Sequence, residues 1–388
     1  MKYRLTNFLF ILIFSAFIGT NTLFGQTSKL NIHGYLTQAY AFSDGHQLFG
    51  ISHEGTSDYR TLAIQFRYDM DEQNNLIIQF SHERTGKSPL MVYQPDVALD
   101  WGYFEHRFTD VFFIKVGKIQ LPYGIYNEIR DVGVLIPFYR LPFSPYGEGN
   151  YMSETVDGFS LTYFWEKWEP SEIEINFYAG HWQWKEWFQF KNPFTGQTLL
   201  RTGIAEIQPA TGLQFRLNTP LEGLRLSFGA QYGKVSGGVT FTKGGWVGEC
   251  DIHDFYGSLD FEQNHFYFRA EGLQLWFHGT NIGARAYYFQ SGLKWNDKLS
   301  LNGQIDLLDA LNTPVSEEFQ SLVGAPSVSL DYNNDYAIGI NYRLTPELVL
   351  KAETHWNSGY LIEDEPVIPI IQDPVKTRYH IFSISTSF

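Results

Sequence analysis

Between Pro122 and Val156 the chain gathers Glu128, Arg130, Asp131, Arg140, Glu148 and Glu154 among five tyrosines and several prolines and glycines. Carboxylates and guanidiniums held across a narrow gap create a transverse field that sorts solutes by size and charge. Unstructured stretches of this length inside a compact fold are usually functional. The plainer alternative is a surface loop packed on its own aromatics. Covalent chemistry is thin by comparison. Nucleophilic catalysis needs Ser and His within hydrogen-bond reach. On a strand that means two-residue spacing, and neither His-x-Ser nor Ser-x-His occurs. Ser81 and His82 are adjacent, so on a strand they point to opposite faces, and Ser52–His53 escapes this only in a loop. His53–Glu54 and His82–Glu83 lack the second histidine that a helical zinc motif requires. The run Asp331–Asp335 could hold calcium weakly, but reads better as an Asx-rich loop. Cys250 is the only cysteine, which excludes an intrachain disulfide and a cysteine-based zinc site. No cofactor and no metal are expected.

The elements that must position these residues alternate with period two. In Thr61–Asp69, Leu62, Ile64, Phe66 and Tyr68 oppose Ala63, Gln65, Arg67 and Asp69. The same division recurs in Leu224–Tyr232, Asp335–Leu344 and Leu348–Asn357. Strands are expected to begin near Lys29, Tyr59, Asn75, Val97, Val111, Asp157, Ile173, Ala210, Leu224, Asp251, His265, Ala284, Leu299, Asp335, Leu348 and Thr377. That makes about sixteen, most near the roughly 9–11 residues of a tilted spanning strand. Tight links at Asp71–Asn74, Thr109–Asp110, Glu166–Ser171, Thr219–Gly223, Glu262–Asn264, Asn296–Lys298 and Thr345–Glu347 alternate with longer ones. The longest are expected at Pro122–Val156, Gln183–Pro209 and Ala310–Asn334. A soluble sandwich has no reason to sort its connections so. A transmembrane antiparallel barrel does, with short turns on one rim and long loops on the other. An even strand count puts both termini on the short-turn, periplasmic side. The fold class is therefore all-β: a transmembrane antiparallel β-barrel of about sixteen strands.

Composition agrees. Charged residues make up 18% of the chain and aromatics 17%, which fits an aromatic-belted barrel better than an ordinary soluble domain. Residues 1–25 read as a cleaved signal peptide, with Lys2 and Arg4 before the apolar stretch Phe8–Ile18, which is too short to span a bilayer as a helix. Residues 26–388 then form one barrel. The 28 basic residues less Lys2 and Arg4 leave 26 against 42 acidic, a net −16, which argues against nucleic acid as a partner. In Thr377–Phe388, Phe382, Ile384 and Phe388 share a face opposite Ser383, Ser385 and Ser387. A last strand of this kind resembles the assembly signal of bacterial outer-membrane proteins. Aromatics at Tyr103–Phe104, Trp165–Trp168 and Trp182–Trp187 read as an interfacial girdle.

Asp100–Gly149 (DWGYFEHRFTDVFFIKVGKIQLPYGIYNEIRDVGVLIPFYRLPFSPYGEG) resembles porins of the phosphate-selective porin superfamily and related bacterial porins. The resemblance is sharp over these fifty or so residues and architectural over the rest. It implies a long third outer loop, here Pro122–Val156, that folds into the barrel and narrows the pore. Phosphate-selective members line their channels with a ladder of arginines and lysines, and this sequence departs from that pattern. Its lumen candidates are mixed: Arg67, Arg216, Arg225, Arg343 and Lys351, with Arg269, stand against Asp69, Glu83, Asp100, Asp306 and Glu353, with Glu174, Asp254 and Asp260. The expected function is a non-enzymatic outer-membrane porin for passive diffusion of small hydrophilic solutes or ions. Its partners would be outer-membrane lipid, the barrel-assembly machinery and, as for many porins of this size, two further copies in a homotrimer. A lipolytic barrel and an adhesive or structural barrel with a closed lumen are the competing classes. Sixteen strands disfavour a closed lumen, because barrels of about that size leave an aqueous channel.

Overall fold

A computed structural model describes residues 29–147, 153–168, 171–191, 195–238, 240–242, 245–247, 249–278, 283–311, 332–365 and 373–388. The expected signal peptide lies outside these residues. The strands are β1 Leu30–Ser43, β2 Thr56–Asp69, β3 Asn74–Thr85, β4 Ala98–Thr109, β5 Phe112–Gln120, β6 Thr155–Trp168, β7 Ser171–Lys191, β8 Thr198–Asn218 and β9 Leu224–Gly238. They continue with β10 Thr240–Thr242, β11 Gly245–Val247, β12 Asp251–Glu262, β13 Phe266–Phe277, β14 Gly283–Lys294, β15 Leu299–Leu311, β16 Asn333–Thr345, β17 Leu348–Gly359 and β18 Val375–Ser387.

Sixteen of these form one closed antiparallel barrel, each strand pairing with its neighbour in sequence and β18 closing on β1. Strands β10 and β11 form a separate small hairpin, so β9 pairs directly with β12. No helix among the described residues is long and apolar enough to cross a membrane. Closure leaves no sheet edge, which is what lets a β-structure satisfy its backbone inside a bilayer.

Alternation places the apolar parity outside. Ile338 and Ile340 are 58% and 50% exposed, whereas Asp335 and Ala337 on the other parity are buried. Phe382, Ile384 and Phe388 are likewise exposed, and Ser383 and Ser385 buried. The buried parity is the inside of the barrel. It carries Gln79, Glu105, Asn176, Gln214, Glu271, Gln290, Asp306 and Lys351, so the inner wall is polar while the outer wall is apolar.

The tight links sit where the turn residues place them. Asp71 Oδ1 accepts the backbone N–H of Gln73 at 2.9 Å and of Asn74 at 2.8 Å, and Asn296 Oδ1 accepts those of Lys298 and Leu299 at 2.9 and 2.8 Å. Lys29 O accepts from Asp69 N at 2.7 Å and Glu347 O from Ser387 N at 3.0 Å, so both ends of the barrel lie on this rim.

Three expectations require correction. Gln183–Pro209 is mostly strand rather than loop: β7 and β8 run 21 residues each, paired out to Lys191 and Thr198. At roughly 3.3 Å per residue these strands are much longer than the roughly 9–11 residues that a tilted strand needs to cross a bilayer core. Trp184 and Trp187 are consequently not girdle residues. A register shift between Gly180 and Trp182 precedes them, both are buried, and Trp184 stacks on Phe277 at 5.6 Å. Finally, Asn333–Asp335 opens β16 instead of forming an Asx loop, and Asp331 lies outside the described residues. Asp335 points inward, 2.9 Å from His355 Nδ1 and 3.1 Å from the Tyr379 hydroxyl. Most of the expected Ala310–Asn334 link also lies outside the described residues.

Two apolar clusters occupy the barrel interior. The larger joins Tyr123, Tyr126 and Tyr146, between β5 and β6, to Tyr178, Trp184, Tyr256, Leu275, Phe277 and Tyr288. The smaller joins Leu48, Phe49 and Ile51, between β1 and β2, to Tyr59, Leu361, Tyr379 and Ile381, with Tyr139 and Phe143 against it.

Candidate functional site

The link between β5 and β6 begins as a closed base. Leu121 N donates to Glu154 O at 3.0 Å, and Asn127 Nδ2 donates to the carbonyls of both Leu121 and Glu154 at 2.9 Å. Pro122, Pro137, Pro142 and Pro145 break any regular run, and among the described residues only two short helical turns form, Asn127–Ile129 and Phe143–Tyr146.

Its backbone is then caught by wall side chains from strand after strand. On β12, the Tyr256 hydroxyl donates to Pro122 O at 3.1 Å. Glu271 on β13 accepts Ile125 N at 2.8 Å and the hydroxyls of Tyr288 and Tyr146. Tyr126 donates its hydroxyl to Gln290 on β14. Asp306 on β15 accepts Phe143 N at 2.6 Å and Ser144 N at 3.3 Å. Asn341 on β16 donates to Pro137 O at 2.9 Å, and Lys351 on β17 donates to Ile136 O at 2.7 Å. Buried polar groups cost free energy unless they are partnered, so this reciprocity is what makes the contact stable. At Gly133 the backbone comes so close to Thr37 on β1 and Ser385 on β18 that a Cβ would collide with both hydroxyls.

Not all of the charged residues expected to face an opening do so. Arg140 is half-buried and engaged with the wall: its Nη1 donates to the Tyr59 hydroxyl at 2.6 Å and its guanidinium lies 4.2 Å from the Phe49 ring centroid. Burial opposes its charge, but the oxygens of Tyr59, Tyr379 and Tyr139 outweigh this and hold its pKa above the ordinary value. Glu128 is tied to Arg216 at 3.2 Å, and Arg216 reaches Glu174 at 3.0 Å. Leu135 is 55% exposed, whereas Phe138 is buried. Glu148 lies outside the described residues.

The remaining candidates converge beside β3 and β4. Asp100, Asp131 and Glu154 bring carboxylate oxygens within 4.8 Å of one another. Gln79 Nε2 donates to Asp100 at 2.7 Å and to the Tyr35 hydroxyl at 2.8 Å, and that hydroxyl donates to Asp131 at 3.4 Å. Arg130 Nη2 donates to Tyr146 O at 3.0 Å, with its Nε 3.9 Å from Glu154. Of these groups, Asp100, Arg130 and Glu154 border a cavity of about 410 Å³, which is also lined by Glu83, Lys118 and Lys185, among others. Three carboxylates so close favour positive charge beside them, and Arg130 supplies part of it.

Most of the other lumen candidates pair across or along the wall, while neither carboxylate oxygen of Asp254 meets a hydrogen-bond partner among the described residues. Arg67 meets Asp69 at 2.8 Å, and Glu83 accepts from Gln94 at 3.3 Å. Arg225 pairs with Asp260, which also holds Arg269 at 3.1 Å. Arg343 reaches Pro346 O at 3.1 Å at the tight-link rim. Both oxygens of Glu353 accept Tyr139 N. Tyr35, Gln79, Glu271, Gln290 and His355 also belong to this interior set. Strand parity alone would have found Glu271, which shares a face with Arg269.

No protein-family model matches the sequence, and a comparison with curated proteins finds no match. Solved structures do match. The high-pH structure of Pseudomonas putida OprB aligns over 92% of this chain and 94% of its own at TM-score 0.58 and 9% identity. An anion-selective porin from Comamonas acidovorans aligns over 92% and 99% at TM-score 0.55 and 9% identity. The trimer form of in-vitro-folded OmpT, an outer-membrane protein of Vibrio cholerae, aligns over 92% and 99% at TM-score 0.54 and 12% identity. This chain therefore has the fold of bacterial outer-membrane porin barrels.

Proposed function

We propose that this chain is an outer-membrane porin: a water-filled channel for passive diffusion of small hydrophilic solutes or ions. The observation that carries this reading is a closed sixteen-strand barrel, apolar outside and polar inside, whose longest described link bonds to inner-wall side chains on at least six strands. Barrels of about this size are wide enough to conduct water, and such a link narrows them to a selective passage. The passage runs beside β3 and β4, where Asp100, Glu154 and Arg130 border the cavity and Asp131 lies within 4.8 Å of the two acids. Residues 1–25 direct export and are removed, the tight-link rim faces the periplasm, and the barrel is inserted by the assembly machinery with Phe382, Ile384 and Phe388 as its terminal signal. The likeness of Asp100–Gly149 to phosphate-selective porins supports the inward loop. The mixed charges of the wall do not support phosphate as the solute. Assembly as a homotrimer is part of the same reading.

Purified protein in a planar bilayer tests it. Stable, stepwise conductance that rises when residues 130–147 are replaced by a short linker supports a constricted channel. A folded barrel without conductance overturns the porin reading and puts a closed adhesive or enzymatic barrel ahead.

A further inference from the structure

We propose that Asp254, on the inner wall at β12, anchors a buried site for one monovalent inorganic cation. Its side chain is 1% exposed, and neither carboxylate oxygen has a hydrogen-bond partner among the described residues. Every other buried carboxylate used in the wall, from Glu271 to Glu353, is met by at least one donor. An isolated carboxylate in such a place carries a large desolvation cost that a counter-charge offsets.

A second group points to the same place. Gln231 on β9 is the cross-strand partner of Asp254, and its Nε2 is also buried without a partner. An amide turned by 180° has nearly the same shape, so oxygen and nitrogen exchange places. That turn puts Oε1 beside the carboxylate and makes three oxygens available to one cation. Asp254 and Gln231 line a cavity of about 20 Å³ together with Tyr178, Trp182, Ile252 and Leu275. This volume holds about one water-sized sphere, which excludes organic ions. One carboxylate balances a single positive charge. A divalent ion would keep an uncompensated charge in a buried place.

Rubidium is the probe. Crystals of the full-length mature barrel grown in rubidium chloride are expected to show anomalous density beside Asp254, absent in Asp254→Asn. In detergent, the unfolding midpoint of the wild type is expected to be higher in potassium chloride than in choline chloride at equal ionic strength, and the difference is expected to vanish in Asp254→Asn. Should Asp254→Asn fail to fold, Gln231→Leu keeps the carboxylate and is expected to reduce the same difference. No rubidium peak in the wild type, or a salt difference unchanged by both substitutions, overturns the site and leaves Asp254 as a neutral or water-bridged acid.

Discussion

Both carboxylate oxygens of Glu353 lie 3.0 Å from the backbone nitrogen of Tyr139, so β17 grips the main chain of the β5–β6 link rather than a side chain. Two residues earlier on the same face, Lys351 holds the carbonyls of Ile136 and Phe138 at 2.7 and 3.3 Å. One short stretch of wall thus fixes Ile136–Tyr139 with charges of both signs. Hydrogen bonds to charged groups contribute about 1.5–3 kcal/mol each, against about 0.5–1.5 for neutral ones. Glu353→Leu is expected to free Tyr139 and raise open-channel noise, with a moderate increase in conductance. Single-channel recording checks this, and conductance and noise equal to wild type would show that the remaining contacts suffice.

Selectivity is expected to depend on the acid group beside β4. Asp100→Asn, Asp131→Asn and Glu154→Gln together remove three negative charges within 4.8 Å. In a narrow, partly dehydrated passage such charges act more strongly than in bulk water. The triple variant is expected to shift the reversal potential in a salt gradient toward anions, and Arg130→Ala toward cations. Arg140→Ala is expected to leave selectivity nearly unchanged and to lower thermal stability, since Arg140 lies against Phe49 and Tyr59. A selectivity change with Arg140→Ala as large as with Arg130→Ala would contradict this placement.

The contrast between Arg130 and Arg140 also marks how far sequence alone reaches. Period-two alternation located the outer face at Ile338 and Ile340 and the inner face at Lys351 and Glu353, because a strand has only two faces. The tight links were legible because Asp71 and Asn296 carry their own turn chemistry. Arg140 was not legible. Its engagement with the wall depends on Phe49 and Tyr59, more than eighty residues away, and no local pattern encodes that contact. The strands beyond Trp182 were misread because aromatic residues suit both a membrane interface and an interior cluster, and only the register shift at Gly180 decides between them.

Cys250 gives a pH-dependent readout of the barrel mouth. Burial, reinforced by neighbouring Asp251, pushes its thiol from 9.0 up to about 11. The thiolate is the reactive form, so a raised pKa means slower alkylation at every pH below it. In the folded protein the iodoacetamide rate is expected to keep rising about tenfold per pH unit through pH 10. In the heat-denatured protein it is expected to level off near pH 9. Mass spectrometry of timed samples checks this, and a plateau near 9 in the folded barrel would show that Cys250 is solvated.

Phe388 closes the seam between β18 and β1. Its N–H donates to Gly34 O at 2.9 Å and its carbonyl accepts from Gly34 N at 3.1 Å, a reciprocal pair joining the C-terminal residue to β1. The ring is 58% exposed on the outer face and covers Gly34, where any Cβ would collide with it. Deleting Phe388 removes both the backbone pair and the ring. Phe388→Asp keeps the backbone pair but places a charge on the outer face near its edge, where the cost in a bilayer is about 0–1 kcal/mol. The two variants therefore separate two roles. If the ring is the recognition element for insertion, both are expected to lower the amount of heat-modifiable barrel in outer-membrane fractions by similar factors. If the seam bonds matter most, deletion is expected to be severe and Phe388→Asp mild. Normal amounts of folded barrel with both would remove Phe388 from assembly altogether, and closure would then rest on the pairing of Leu36 with Thr386 and Gln38 with Ile384 further along the same two strands.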